Sequence, residues 1–212
     1  MYDDISVMEI ENPARLTCLV DGVDDIFFDS AKAPDNRVRT YVYEAVKRAR
    51  AYLPPHCHFR IAEAYRPLSV QIKYWDDYMA RLVAENPRLS ADSEELIEKC
   101  NVYVANPHRQ GSGHQTGAAI DITLVGDDRA ECDMGGSVDG FGDETSATDA
   151  PNISAAGRAN RDILRNALTR AGLTNYPAEW WHYSFGDIMW AQLTGSKIAI
   201  FGKLDLRAAS SK

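Results

Sequence analysis

Apolar residues recur at helical spacing in four stretches of the 212-residue chain. Recurrence at every third or fourth position predicts amphipathic helices with one buried face. The predicted helices cover residues 34–53, 69–85, 92–100 and 155–171. Ser154 is a suitable N-cap for the last of them, and Gly172 is a suitable residue to end it.

Shorter apolar stretches, rich in β-branched and aromatic residues, predict strands. They cover residues 59–64, 118–125, 179–185 and 197–201. Between them, residues 126–152 are rich in Gly and Asp, and a loop of this length inside a domain is usually functional or disordered. Because the helices are grouped and do not alternate regularly with strands, the pattern predicts an α+β fold. We expect one domain over residues 1–212, with a mainly antiparallel sheet and flanking helices.

Composition narrows the classes of function. With 45% hydrophobic residues the chain can bury the core of one domain, and a net charge of −8 argues against nucleic-acid binding. No apolar run is long enough to predict a membrane span. The N-terminus carries Asp3 and Asp4 where a secretory signal has basic residues, which predicts a cytoplasmic protein. No C-x-x-C pair occurs, so we expect four reduced thiols, with one or two disulfides as the alternative.

Two of the five histidines lie near carboxylates that could take part in metal binding or catalysis. His114 is followed by Asp121, and His182 is preceded by Glu179. Two imidazoles and one carboxylate suit a zinc ion and would leave it with a net charge near +1, while a further carboxylate can transfer protons during amide hydrolysis. The other three histidines are predicted to be non-catalytic: His56, His58 and His108.

The spacing of these residues requires bends in the chain. His114 and Asp121 are seven positions apart, so on one straight strand their side chains would point to opposite faces. Gly113 and Gly117 permit a turn between them. Glu179 and His182 are three apart and need a bend, or an approach of Glu179 from the end of the strand.

Two motifs occur together in this chain. S-x-H-x-x-G-x-A-x-D is matched at every fixed position within residues 112–121, and Glu-Trp-Trp-His occupies residues 179–182. The pair resembles the zinc D-Ala-D-Ala peptidases, whose fold is shared with the Hedgehog signalling domain. Ala-Tyr-Arg-Pro at 64–67 and Met-Gly-Gly-Ser-Val-Asp at 134–139 narrow the resemblance to D-alanyl-D-alanine dipeptidases of the vancomycin-resistance type. It covers roughly residues 55–202.

The resemblance implies an activity and a role for each motif residue. It implies hydrolysis of D-alanyl-D-alanine to two D-alanines, with one zinc ion per chain. The implied zinc ligands are His114, Asp121 and His182. Glu179 would act as general base and then general acid, and Arg66 would stabilise the oxyanion. Asp139 would hold the substrate ammonium in a pocket lined by Ser112.

Other functions remain open at this stage. A D,D-carboxypeptidase or a peptidoglycan endopeptidase can use the same scaffold, and the Hedgehog relatives allow a zinc-binding module without turnover. Glu179 and Arg66 are both present, which favours an enzyme. A dipeptidase could serve vancomycin resistance or the recycling of D-alanine.

Overall fold

The computed structural model describes residues 5–8, 16–30, 33, 35–109, 111–138, 140 and 142–206. Its strands are β1 (Ser6–Val7), β2 (Leu16–Cys18), β3 (Ile26–Phe28), β4 (Arg37–Arg39), β5 (Cys57–Glu63), β6 (Ala119–Gly126), β7 (Thr174–Asn175), β8 (His182–Ser184) and β9 (Ile198–Ala199). Its α-helices are α1 (Thr40–Ala49), α2 (Leu68–Glu85), α3 (Glu94–Tyr103), α4 (Ala155–Arg170) and α5 (Ile188–Thr194).

A five-stranded sheet forms the centre of the fold, in the order β3-β5-β6-β8-β7. Only the β3–β5 pair within this sheet is parallel, and the other three pairs are antiparallel. Two short ribbons, β1 with β9 and β2 with β4, lie outside it. The predicted α+β class with a mainly antiparallel sheet is confirmed.

Helices α1 and α4 cover one face of the central sheet. Successive residues of a strand point to opposite faces, so alternate positions of β6, Ile120, Ile122 and Leu124, enter the main core. They pack there with Val42 and Val46 of α1 and with Leu164 and Leu168 of α4. Asp121 lies between two of these core positions, so its side chain points to the opposite face of the sheet.

Helices α2 and α3 form a hairpin with its own apolar cluster. Its buried members are Trp75, Met79, Leu82, Leu96, Cys100 and Val104. This cluster is separate from the main core.

Most predicted elements differ from the observed ones by three residues or fewer at each end. The predicted helix over 34–53 was wrong at its start, because residues 37–39 form β4 and pair with β2. Pro34 lies outside the described residues. The predicted strand over 179–185 was also too long, since β8 begins at His182 and Glu179 lies in the preceding turn. The predicted cap holds: the Ser154 hydroxyl accepts a hydrogen bond from Gly157 N at 2.8 Å.

Several short elements were not predicted: β1, β2, β3, β7 and α5. Within residues 126–152, the described part is irregular apart from a bridge between Val125 and Glu131. All four cysteines are free thiols. Among the described helices, none has both the length and the apolar character that a membrane crossing requires.

Candidate metal centre and active site

His114 lies in a tight turn that leads into β6. Residues 113–116 form one turn of 3₁₀-helix, and Gly117 follows with a positive φ of 68°. Glycine adopts this left-handed conformation without a steric penalty. The turn redirects the chain between His114 and Asp121, which overcomes the spacing problem seen in the sequence.

Asp121 and His182 are neighbours across the sheet. They are register partners in β6 and β8, and Glu63 is the partner of Asp121 on β5. The register of β5 against β6 shifts between Ile61 and Glu63. Such a bulge turns Glu63 away from the core face, which holds Ile61, toward the face that holds Asp121. The three polar residues therefore form a row across the sheet.

Three side chains form a triangle of candidate metal ligands on this face, with one carboxylate oxygen of Asp121 toward each imidazole. Asp121 Oδ1 lies 3.0 Å from His182 Nδ1, and Asp121 Oδ2 lies 3.3 Å from His114 Nε2. The two imidazole nitrogens are 3.2 Å apart. Ligands at about 2.0–2.1 Å from a tetrahedral zinc ion are separated by roughly 3.3–3.4 Å, so the triangle fits such an ion. Among the described residues, this is the one group of three or more His, Cys, Asp or Glu side chains close enough to hold a metal.

Hydrogen bonding and charge prepare these side chains for a cation. His114 Nδ1 lies 2.8 Å from Ala64 O, which places the ring proton on Nδ1 and leaves Nε2 as the ligand atom. Burial opposes a charge on His114, but the Asp121 carboxylate outweighs it and raises the pKa of His114. Burial likewise opposes the negative charge of Asp121, yet His114 and then His182 hold its pKa well below the usual range.

Glu179 lies next to the triangle without being part of it. Its Oε2 is 3.8 Å from His182 Nδ1, and the residue is 5% exposed. The turn before β8 holds its backbone: Glu179 N donates to Tyr176 O at 3.0 Å, and His182 N donates to Glu179 O at 3.3 Å. Glu179 thus approaches the triangle from the end of the strand.

Arg66 lies on the other side of the triangle and is buried. Its guanidinium donates two hydrogen bonds to the Glu63 carboxylate and one to Gln71 Oε1 at 2.9 Å. Burial disfavours its positive charge, but Glu63 outweighs this and raises the pKa of Arg66. A guanidinium has five N–H donors, so two remain for another acceptor. Nη2 is 4.0 Å from Asp121 Oδ2, which places these donors beside the candidate metal centre.

These groups line one cleft. Its polar and charged lining includes Arg66, Ser112, His114, Asp121, Glu179 and His182. Its other wall comes from the end of α3, with Val102 and Tyr103, and Tyr176 lines the cleft between the two walls. The structure therefore brings together six of the seven residues that the sequence singled out. The seventh, Asp139, lies outside the described residues.

The remaining histidines lie elsewhere. His58 Nε2 is 2.8 Å from Asp127 Oδ1, and His56 Nδ1 contacts the other oxygen of the same carboxylate near the start of β5. His108 is exposed. None of the three lines the cleft.

Sequence reasoning missed Glu63, Gln71 and Tyr176. Glu63 stands three positions before Arg66, but an acid and a base at this spacing are common and reveal no pairing. Gln71 and Tyr176 carry no motif signal at all. Only the structure shows that these residues contribute to the site.

A buried set of three metal-ligand side chains, flanked by a carboxylate and a guanidinium inside a cleft, fits the class of metallopeptidases. Comparison with known proteins identifies the family. Residues 33–197 match the model of the Peptidase_M15 family, described as D-ala-D-ala dipeptidase. The chain belongs to this family.

Individual relatives agree with this assignment. A D-alanyl-D-alanine dipeptidase of Synechocystis sp. is 31% identical over an alignment of 200 positions, with a coverage of 79% of this chain and 79% of the relative. A D-alanyl-D-alanine dipeptidase of Streptomyces coelicolor is 40% identical over 139 residues, covering 60% of this chain and 68% of the relative. Among solved structures, VanYB in complex with D-alanine-D-alanine matches with a TM-score of 0.50. It is 19% identical, covers 92% of this chain and 94% of that chain, and shows the shared fold.

Proposed function

We propose that this protein is a zinc-dependent dipeptidase that hydrolyses D-alanyl-D-alanine to two D-alanines. The observation that carries the proposal is a buried carboxylate, Glu179, beside a donor triangle that fits one zinc ion. A peptidase with one metal needs both parts: three ligands, and a carboxylate that is free to move a proton.

One zinc ion per chain would be held by His114, Asp121 and His182. When bound, zinc polarises the scissile carbonyl and makes water a nucleophile near neutral pH. Glu179 takes a proton from the attacking water and passes it to the leaving amine as the C–N bond breaks. One water is consumed and two amino acids are released, so the atoms balance.

Arg66 is proposed to stabilise the negative charge that develops on the carbonyl oxygen. Its two remaining N–H donors are fixed in direction because Glu63 and Gln71 hold the guanidinium plane. Donors fixed in advance need no reorganisation when the charge forms, which makes them effective in a buried site.

Recognition of the free dipeptide is proposed to rest on Ser112 and Asp139. Ser112 lines the cleft next to the turn that carries His114. The assignment of Asp139 to the substrate ammonium rests on its motif alone. A dipeptide carries an ammonium and a carboxylate a few ångströms apart, and burying both requires a partner for each.

Further expectations from the sequence stay predictions: a single domain over residues 1–212, a cytoplasmic location, and no catalytic role for His56, His58 or His108. The same chemistry serves vancomycin resistance and the recycling of D-alanine from cell-wall turnover.

The test is a substrate panel for the purified protein: D-Ala-D-Ala, L-Ala-L-Ala and an N-acetylated tripeptide ending in D-Ala-D-Ala. Release of amine is followed with and without a chelator. Glu179→Gln is the inactive variant, and Glu85→Gln is the matched control, since Glu85 is exposed and paired with Arg81 on α2.

We expect chelator-sensitive cleavage of the D,D-dipeptide alone, reduced about 10²–10⁴-fold in Glu179→Gln and unchanged in Glu85→Gln. Cleavage of the tripeptide instead would identify a D,D-carboxypeptidase. Bound zinc without cleavage of any peptide would identify a binding module.

A further inference from the structure

The side chain of Tyr176 spans the cleft from wall to wall. On the sheet side its ring lies edge-on to His182, with centroids 6.2 Å apart and an interplanar angle of 78°. On the helical side its hydroxyl donates a hydrogen bond to Val102 O, in α3, at 2.8 Å. Both residues line the cleft, so one side chain bridges the two walls.

The backbone of Tyr176 is tied to the reaction centre. Tyr176 N donates to His182 O at 3.0 Å, and Tyr176 O accepts from Glu179 N at the same distance. These two hydrogen bonds fix the backbone from which the Tyr176 ring extends, relative to His182, the candidate ligand, and Glu179, the candidate base. A side chain held in this way can act as a rigid wall of the site.

The bridge also links two parts of the fold that pack separately. Helices α2 and α3 bury their apolar side chains in their own cluster. Gln71, in α2, accepts a hydrogen bond from Arg66 Nη1 at 2.9 Å and so joins the hairpin to the Arg66 side of the site. The hydrogen bond from Tyr176 to Val102 joins the hairpin to the Glu179 side.

We propose that Tyr176 is a specificity-determining residue that closes the cleft to peptides longer than two residues. The proposal rests on the proposed function, because it concerns which peptides reach the same site. Each further residue adds about 3.3–3.6 Å of extended chain and needs an open path out of the cleft. The bridging phenol occupies such a path between the sheet and α3. The excluded substrates are longer or N-acylated peptides that end in D-Ala-D-Ala.

Two variants of Tyr176 separate the hydrogen bond from the ring. Tyr176→Phe removes only the hydroxyl, and Tyr176→Ala removes the whole bridge. The matched control is Tyr43→Phe, because the Tyr43 hydroxyl also makes a 2.8 Å hydrogen bond, to Asp24 Oδ2, away from the cleft. For each protein, kcat/KM is measured with D-Ala-D-Ala and with the N-acetylated tripeptide.

We expect the ratio of tripeptide to dipeptide kcat/KM to rise at least about tenfold in Tyr176→Ala and by less in Tyr176→Phe. The ratio should stay at the parent value in Tyr43→Phe. An unchanged ratio in a folded Tyr176→Ala protein would overturn the proposal. If that variant does not fold, Tyr176→Leu, which also removes the ring but leaves a larger apolar side chain, takes its place with the same expected rise and the same contradicting result.

A binding measurement distinguishes failure of this proposal from failure of the proposed function. Calorimetry is run on Glu179→Gln protein, with and without the Tyr176 substitutions, using both peptides. Failed hydrolysis by the parent, with relative affinity for the tripeptide still rising in the variants, refutes the activity and supports the role of Tyr176. An active parent with unchanged affinity ratios refutes the role of Tyr176 alone. If neither peptide binds to any variant, both proposals are wrong.

Discussion

Arg66 and Glu63 form an ion pair that is buried on both sides, with side-chain exposures of 6% and 7%. Removing one partner of such a pair leaves the other charge buried without compensation. For this reason Glu63 matters for the stability of the site as well as for the direction of the Arg66 donors.

We expect Glu63→Gln to lower the free energy of unfolding by about 3 kcal/mol, because the Arg66 charge stays buried without its partner. Denaturant unfolding measures the change. The control is Asp77→Asn, which breaks the exposed Lys73–Asp77 pair and should have almost no effect. The double variant Glu63→Gln/Arg66→Met should regain much of the loss. Equal stabilities of Glu63→Gln and Asp77→Asn would contradict this account of the pair.

Some of the site residues could be predicted from the sequence, and others could not. His114, Asp121, His182 and Glu179 stand in motifs with fixed spacing, and the structure places all four around one point. The place of Glu63 in the site could not be predicted, because a bulge in β5 determines the face of the sheet to which its side chain points. A bulge depends on the pairing of two strands that are distant in sequence, and local patterns do not encode it.

At the scale of elements, helix α4 lies very close to the segment that follows β6. A Cβ atom added to Gly157 would lie 2.6 Å from Gly135 N and 2.9 Å from Met134 C. Both are backbone atoms, which cannot move aside as the end of a flexible side chain can. Gly157 is therefore required by packing, at a helical position where glycine is intrinsically unfavourable.

We expect Gly157→Ala to lower the free energy of unfolding by about 1–3 kcal/mol through overpacking. Helix propensity alone predicts the opposite sign, a gain of about 1 kcal/mol. The unfolding midpoint in denaturant decides between the two. A more stable Gly157→Ala protein would show that the close approach of α4 is not required.

The helices were predicted from the sequence more accurately than the short strands. Helices α2 and α4 have long amphipathic patterns, and their bounds were predicted within one residue. Strand β4 was assigned to a helix because Val38 fits the helical pattern of α1, whereas pairing with β2 decides the conformation of residues 37–39. The short strands β1, β2, β3 and β7 have too few residues for a period-2 pattern.

For the whole molecule, the candidate ligands couple stability to pH. The pKa of His114 is raised, so its stabilising effect is complete below its unfolded pKa of about 6.5 and is lost as pH rises through its folded pKa. The pKa of Asp121 is lowered, so its contribution is present above about pH 4 and is lost only in stronger acid. Both contributions are present between about pH 4 and 6.5.

We therefore expect metal-free protein to have a higher Tm at pH 5.5 than at pH 8. Zinc affinity should change in the opposite direction, because protons compete for His114 as the pH falls. The Tm difference should shrink in His114→Gln and persist in His108→Gln, since His108 is exposed. A His114→Gln protein that keeps the full difference would contradict the assignment to His114.

The central claim is that His114, Asp121 and His182 hold one zinc ion that hydrolysis of D-Ala-D-Ala requires. Its most direct test is a titration of chelator-treated protein with zinc, following amine release from D-Ala-D-Ala at each addition. We expect activity that rises linearly and reaches a plateau at one zinc per chain, with no recovery in Asp121→Asn. Full activity in the metal-free protein, or full recovery in Asp121→Asn, would contradict it.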